Sequence, residues 1–294
     1  MADQQPDISS QIEALGRDLT MDMIMASGAV YRDRQEMEPY RSVTVERDIQ
    51  YGQHERHRLD VFKPENAESE PRGVFIFVHG GGFVRGDKRN PDSPYNDNVA
   101  LWAMRHGMIG VNITYRYAPE FQFPCGAQDV AAAVAWVRAN IAEHGGDPDR
   151  IFLSGTSAGA VHVAHYVAID GIGSPETEIR GAVLLSCIFD PQTAERNDHL
   201  RAYYGDDPSL YAAASTLPGL LATKVPLLVT LAEYDPEDFE AQTLLFIEAW
   251  FEKNRAWPNF MRLRGHNHLT TSYHLNSGDE ILGNELLRFV RDNG

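Results

Sequence analysis

The stretch Ile151-Phe152-Leu153-Ser154-Gly155-Thr156-Ser157-Ala158-Gly159-Ala160-Val161 decides how this chain is read. Its first four residues form a short strand-like run, and Ala158 to Val161 open a helix of small residues. Between them stands Gly-x-Ser-x-Gly, from Gly155 to Gly159. A serine at such a strand-to-helix bend is a nucleophile elbow. The sharp turn exposes the hydroxyl at the strand's carboxyl end, and the glycines let strand and helix approach closely. The helix N-terminus beside it favours developing negative charge. The pentapeptide alone is a weak pattern, since glycine and serine are common; its flanks give it weight.

Working upstream, His79-Gly80-Gly81-Gly82-Phe83 follows the apolar run Val74–Val78. Three consecutive glycines cost backbone entropy and earn nothing as structure alone. What they permit is backbone N–H groups aimed at a ligand with no side chain in the way. The N–H groups of Gly81 and Gly82, with that of Ala158, predict an oxyanion hole with donors at about 3 Å.

From Gly73 onward, strand-like runs alternate with helical ones. The runs Val74–Val78, Ala182–Ser186 and Pro226–Leu231 are almost continuously apolar, as strands buried on both faces are. The pattern predicts an α/β fold with a mainly parallel central sheet under helices on both faces. Before it, Ser42 to Lys63 alternates about Gly52 and predicts an antiparallel hairpin. Ile12, Leu15, Leu19 and Met23 recur three or four apart, predicting one helix face with Ser9 or Ser10 as N-cap. Residues 1–41 are therefore read as an N-terminal helical cap segment and 42–294 as the catalytic domain. Residues 190–224 interrupt the rhythm between two core strands; connections of that length usually carry function, here as a cap insertion.

Composition narrows the class. The 294 residues are 43% hydrophobic and 23% charged, which is ordinary for a globular chain. A net charge of −16 repels phosphate backbones and anionic lipid, arguing against nucleic-acid and membrane partners. Cys125 and Cys187 are too few for a disulfide framework or a four-thiolate metal site and are read as reduced thiols. The first residues lack a basic region followed by an apolar stretch, so the chain is read as cytoplasmic.

His79–Phe83, Tyr115-Arg116-Tyr117-Ala118-Pro119-Glu120 and Gly155–Gly159 come in an order and spacing that resembles the hormone-sensitive-lipase-like carboxylesterases, a branch of the α/β-hydrolase superfamily. The kynurenine-formamidase-like group is similar. The resemblance covers roughly residues 45–290 and implies the α/β-hydrolase fold with a small cap. It also implies an acid and then a histidine after the serine. Asp235, in Asp235-Pro236, matches the acid position, with Glu233 as the alternative; His268 matches the histidine, with His266 as the alternative. Thr156 stands where many relatives carry Asp, a departure that leaves the triad untouched.

Those residues imply their roles. Ser157 is the nucleophile, His268 takes and returns its proton, and Asp235 orients the imidazole. The expected reaction is hydrolysis of small neutral esters, short-chain or aryl, through an acyl-enzyme, with neither metal nor organic cofactor. A formamide hydrolase with the same triad is the alternative, and a non-catalytic binder of small ligands is a further one. Phe83 and Tyr203 are expected to contact substrate; Trp102, Tyr204 and Tyr211 read equally as pocket or core. His79 is expected to support the glycine loop, and Arg116 and Glu120 to pin the turn after their strand. His162 with His165, or His266 with His268, could chelate a metal, but no His-Glu-x-x-His motif accompanies them. Fold-level analogy adds a homodimer.

Overall fold

In a computed structural model, residues 7–66 and 70–294 are described. Among them, eight strands form one sheet: β1 (Val43–Gln50), β2 (Arg58–Pro64), β3 (Arg72–Val78), β4 (Ile109–Ile113), β5 (Gly146–Thr156), β6 (Gly181–Leu185), β7 (Leu227–Tyr234) and β8 (Phe260–Asn267). Their spatial order is β1-β2-β4-β3-β5-β6-β7-β8. The hairpin β1–β2 is antiparallel, as its alternation predicts, and β2 also runs antiparallel to β4. Every later pairing is parallel.

Period-two alternation explains how the sheet is covered. Val74, Ile76 and Val78 of β3 join one core cluster with Ile151, Leu153, Ala182 and Leu184. Phe75 and Phe77 point the other way and join Phe152, Val183 and Leu185. Successive side chains of a strand face opposite sides, so an apolar run fills two cores at once. Each fully buried side chain of this size contributes roughly 1.5–3 kcal/mol.

Helices close both faces. The first face is covered by α4 (Cys125–Asn140), α5 (Ala158–Ala168) and α10 (Glu237–Asn254), through Val130, Val134, Ala160 and Phe246. The second is covered by α3 (Asp97–Arg105) and α12 (Ile281–Asn293), through Trp102, Leu282, Leu286 and Phe289. Trp102 is thus core, packed edge-on to Phe75.

The N-terminal segment departs from the expected single helix. It forms α1 (Ile8–Leu15) and α2 (Met21–Arg32), broken at Gly16, whose φ of 72° ends the first. Ile12 and Met23 are buried, whereas Leu19 is 41% exposed, so the four-residue face is split. Asp7, two or three residues earlier than expected, caps α1 by accepting from the Ser10 N–H. The segment packs on the end of β8 and the residues after it: Asn267 Nδ2 donates to Ser27 Oγ of α2 at 2.8 Å, and Gln35 Nε2, just past α2, to the Tyr273 carbonyl at 2.7 Å. The insertion carries three short helices, α7 (Asp198–Tyr204), α8 (Pro208–Ala213) and α9 (Leu217–Ala222). Two more short helices complete the set, α6 (Pro175–Glu178) and α11 (Thr270–Tyr273). Cys125 and Cys187 are both free thiols. No helix among the described residues is long and apolar enough to cross a membrane.

Candidate active site

Ser157 stands between β5 and α5 with φ 55° and ψ −124°. A non-glycine residue at such a φ is strained, and strain of this kind persists only where the surroundings enforce it. Here they do. The Ser157 N–H donates to the Leu185 carbonyl at the end of β6 (2.9 Å), and its carbonyl accepts from Val161 N–H in α5 (3.1 Å). The motif glycines allow the close approach: a Cβ on Gly159 would lie 2.2 Å from the Val78 carbonyl oxygen, and one on Gly155 would lie 2.4 Å from that of Gly159.

The glycine loop lies against this bend, since a Cβ on Gly80 would meet Ser157 Cβ at 3.3 Å. Gly81 (φ 128°) and Gly82 (φ 59°) turn the chain through conformations that side chains rarely adopt. Among the described residues no hydrogen bond uses the N–H of Gly81, Gly82 or Ala158. Three donors are therefore left free beside one serine.

His79 is buried beneath the loop. Its ring stacks on Tyr115 at 4.4 Å, its Nδ1 lies 2.6 Å from the Gly80 carbonyl, and its own carbonyl accepts from Tyr115 Oη at 3.1 Å. Burial pushes its pKa down to about 4, so the ring is neutral and holds the loop by packing. Arg116 ties the turn after β4 to α4, its guanidinium on Asp129 at 2.7 Å. Glu120 is exposed and makes no hydrogen bond among the described residues, so it does not share that work.

Asp235 and His268 meet. His268 Nδ1 lies 2.6 Å from Asp235 Oδ1, and Asp235 is fully buried. The other carboxylate oxygen accepts from the Ala232 N–H at 2.6 Å and from Ser186 Oγ at 2.7 Å. Phe239, at the start of α10, packs on the His268 ring with centroids 4.5 Å apart. The ring is thus fixed from two sides. Its Nε2 is buried and has no hydrogen-bond partner, and Ser157 Oγ makes no hydrogen bond among the described residues. Acid and base are joined in this structure; base and hydroxyl are not yet bonded.

The alternatives face elsewhere. Glu233 Oε2 accepts the Gly265 N–H of β8 at 2.8 Å, and Oε1 lies 3.5 Å from Arg262. His266 turns toward Asp279 and His274, away from His268. His162 packs edge-on to Tyr115 and Phe83, and His165 Nε2 lies 3.0 Å from the Ala214 carbonyl; among the described residues no carboxylate joins them.

Phe83 and Tyr203 stack face to face at 4.5 Å, only 5% and 1% exposed. Tyr204 and Tyr211 continue the cluster at 5.4 Å. These rings join the glycine loop to the insertion. The insertion also reaches the loop directly: a Cβ on Gly82 would lie 2.9 Å from the ring of His199. Ser186, Phe239 and His199 were not singled out from the sequence. None belongs to a motif, and each acts through a contact made only by folding.

Comparisons with known proteins agree with this architecture. The family model of the alpha/beta hydrolase fold matches residues 75–244. The esterase LipQ of Mycobacterium tuberculosis is 32% identical over 242 residues, covering 75% of this chain and 56% of LipQ. The probable carboxylic ester hydrolase LipM of the same organism is 32% identical over 161 residues, covering 51% of this chain and 36% of LipM. The chain thus spans about half of the first relative's length and about a third of the second's. The crystal structure of esterase B from Lactobacillus rhamnosis superposes with a TM-score of 0.75, over 97% of this chain and 96% of that one, at 18% identity. With the match extending over more than half of its length, and with the sheet and elbow in place, the chain belongs to the alpha/beta-hydrolase-fold family.

Proposed function

We propose that this protein is a serine carboxylesterase acting on small neutral esters, short-chain or aryl, through an acyl-enzyme. The observation that carries the reading is the buried Asp235–His268 pair at 2.6 Å with an unclaimed Nε2, in a fold that also bends Ser157 beside three free amides. The esterase names of LipQ and LipM support it.

Attack begins with proton transfer from Ser157 Oγ to His268 Nε2. Asp235 accepts from Nδ1–H throughout, fixes the tautomer and stabilises the imidazolium without becoming protonated. The carbonyl oxygen, now an oxyanion, accepts from Gly81, Gly82 and Ala158 N–H; each donor is worth roughly 3 kcal/mol in such sites. The imidazolium returns its proton to the leaving alkoxide, leaving the acyl-serine. Water then attacks with the same base and regenerates Ser157. The Oγ–Nε2 hydrogen bond forms as substrate is bound, as catalytic hydrogen bonds commonly do. In this reading Phe83, stacked on Tyr203, backs the site beside the oxyanion donors, with α1–α2 and the 190–224 insertion as its cap.

Labelling with a fluorophosphonate, with p-nitrophenyl acetate hydrolysis as companion assay, tests the reading. The native protein should label and turn over, and Ser157→Ala should do neither while keeping its melting temperature. Equal labelling of Ser157→Ala would remove Ser157 as nucleophile. Far faster hydrolysis of N-formylkynurenine than of any ester would move the protein to the formamidase reading.

A further inference from the structure

Behind His268, on the side facing the N-terminal helices, His266, His274 and Asp279 offer ligand atoms that all lie within 4.8 Å of one another. They come from the end of β8, the residue after α11 and the approach to α12. His266 and His274 are 2% and 0% exposed, with ring centroids 4.2 Å apart. Burial leaves Nε2 of His274, the nitrogen a metal would use, with no hydrogen-bond partner. Buried polar atoms are seldom left so, because each has lost its water without compensation.

The protonation pattern is that of ligands. His274 Nδ1 lies 2.6 Å from the Thr270 carbonyl and so carries the proton, leaving a lone pair on Nε2. A carbonyl behind a ring nitrogen is the usual support of a ligating imidazole. His266 Nε2 stands 3.6 Å from Asp279 Oδ2, too far for a hydrogen bond. Two ligands held 2.0–2.2 Å from one tetrahedral zinc sit about 3.4 Å apart.

The surroundings fit as well. Tyr31 Oη of α2 donates to Asp279 Oδ2 at 2.9 Å and would orient the carboxylate. The Asp279 side chain is 22% exposed, which gives an ion a way in from solvent.

We propose that His266, His274 and Asp279 bind a divalent first-row transition ion, of the class that imidazole and carboxylate select, with zinc as the representative. The ion would join the end of β8 to the loop before α12 and, through Tyr31, to α2. The site is separate from the triad and does not rest on the ester reading. Its place two residues before His268 makes it a fastener for the loop that carries the base.

The test uses the full chain, stripped with a chelator and dialysed to equilibrium against zinc chloride, with bound metal measured by elemental analysis. One zinc per chain should bind and raise the melting temperature. His274→Gln and the isosteric Asp279→Asn should each weaken binding at least about tenfold and abolish the thermal shift. The proposal is overturned if the native chain takes up no zinc at micromolar concentrations, or if both variants bind as it does. Should the variants fail to fold, X-ray absorption on the zinc-loaded native chain decides. Two imidazole nitrogens in the shell support the site, and fewer than two overturn it.

Discussion

Ser186 Oγ donates to Asp235 Oδ2 at 2.7 Å, with both residues fully buried. Ser186 follows β6 with φ 51°, and its neighbour Leu185 supplies the carbonyl that holds the Ser157 N–H at 2.9 Å. One turn therefore touches the nucleophile through its backbone and the acid through a side chain. Ser186→Ala leaves Oδ2 with the Ala232 N–H alone. A hydrogen bond to a charged group is worth about 1.5–3 kcal/mol. If that is expressed in the transition state, kcat falls roughly 10–100-fold with KM little changed. Steady-state kinetics on p-nitrophenyl acetate measure it, and an unaltered kcat would show that Asp235 needs no help from Ser186.

The two histidines of Gly265-His266-Asn267-His268 should separate cleanly. His268→Ala removes the partner of Asp235, and turnover should drop by at least about a thousandfold while the fold stands. His266→Ala removes a ring that stacks on Tyr31 at 6.3 Å and faces His274, so it should retain most of the turnover and lose thermal stability. Turnover and melting curves on the two variants give the comparison. Loss of activity in His266→Ala with retention in His268→Ala would exchange their roles.

Periodicity and its limits explain what the sequence revealed. Inner strands were legible because a run buried on both faces must be apolar at every position, as Val74 to Val78 is. The elbow was legible because contact distances near 2 Å leave no alternative to glycine at Gly155 and Gly159. The choice between Glu233 and Asp235 was not decided by alternation, which puts both on one face. β7 ends at Tyr234, and Asp235 lies past it, where the chain folds back so that its carboxylate meets the Ala232 N–H. The same holds for His268, one residue beyond β8. Ser186 gave no signal at all, since its partner is 49 residues away. The N-terminal helix was misjudged because a helical pattern runs on across Gly16, where the backbone does not.

Gly82→Ala joins two penalties at one atom. Its φ of 59° is unfavourable for any side chain, and the new methyl would meet the His199 ring at 2.9 Å. The ring sits half-buried on α7, so it must rotate away or push against the insertion or the glycine loop. Displacing one oxyanion donor costs about 10²–10³ in kcat. Gly82→Ala should therefore lose activity on that scale, and adding His199→Ala should restore part of it by removing the clash while leaving the φ penalty. Kinetics of the single and double variants test this. No recovery in the double variant would mean that the backbone alone is responsible.

Buried histidines set how this protein meets acid. His79 and His165 are held near pKa 4, in each case chiefly by burial, which penalises the charged ring. In the unfolded chain each returns to about 6.5. The unfolded state therefore binds more protons between these values, and stability rises with pH across the window. The contribution is complete above about pH 6.5 and is lost progressively as pH falls toward 4. Each ring adds up to about 1.4 kcal/mol per pH unit to that slope. Denaturant unfolding at pH 7, 6 and 5 should show a steep fall in unfolding free energy. His165→Gln, which can keep a donor near the Ala214 carbonyl that His165 Nε2 meets at 3.0 Å, should give a shallower fall by about one proton. A native protein equally stable at pH 7 and pH 5 would mean that these rings are protonated as readily inside the fold as outside it.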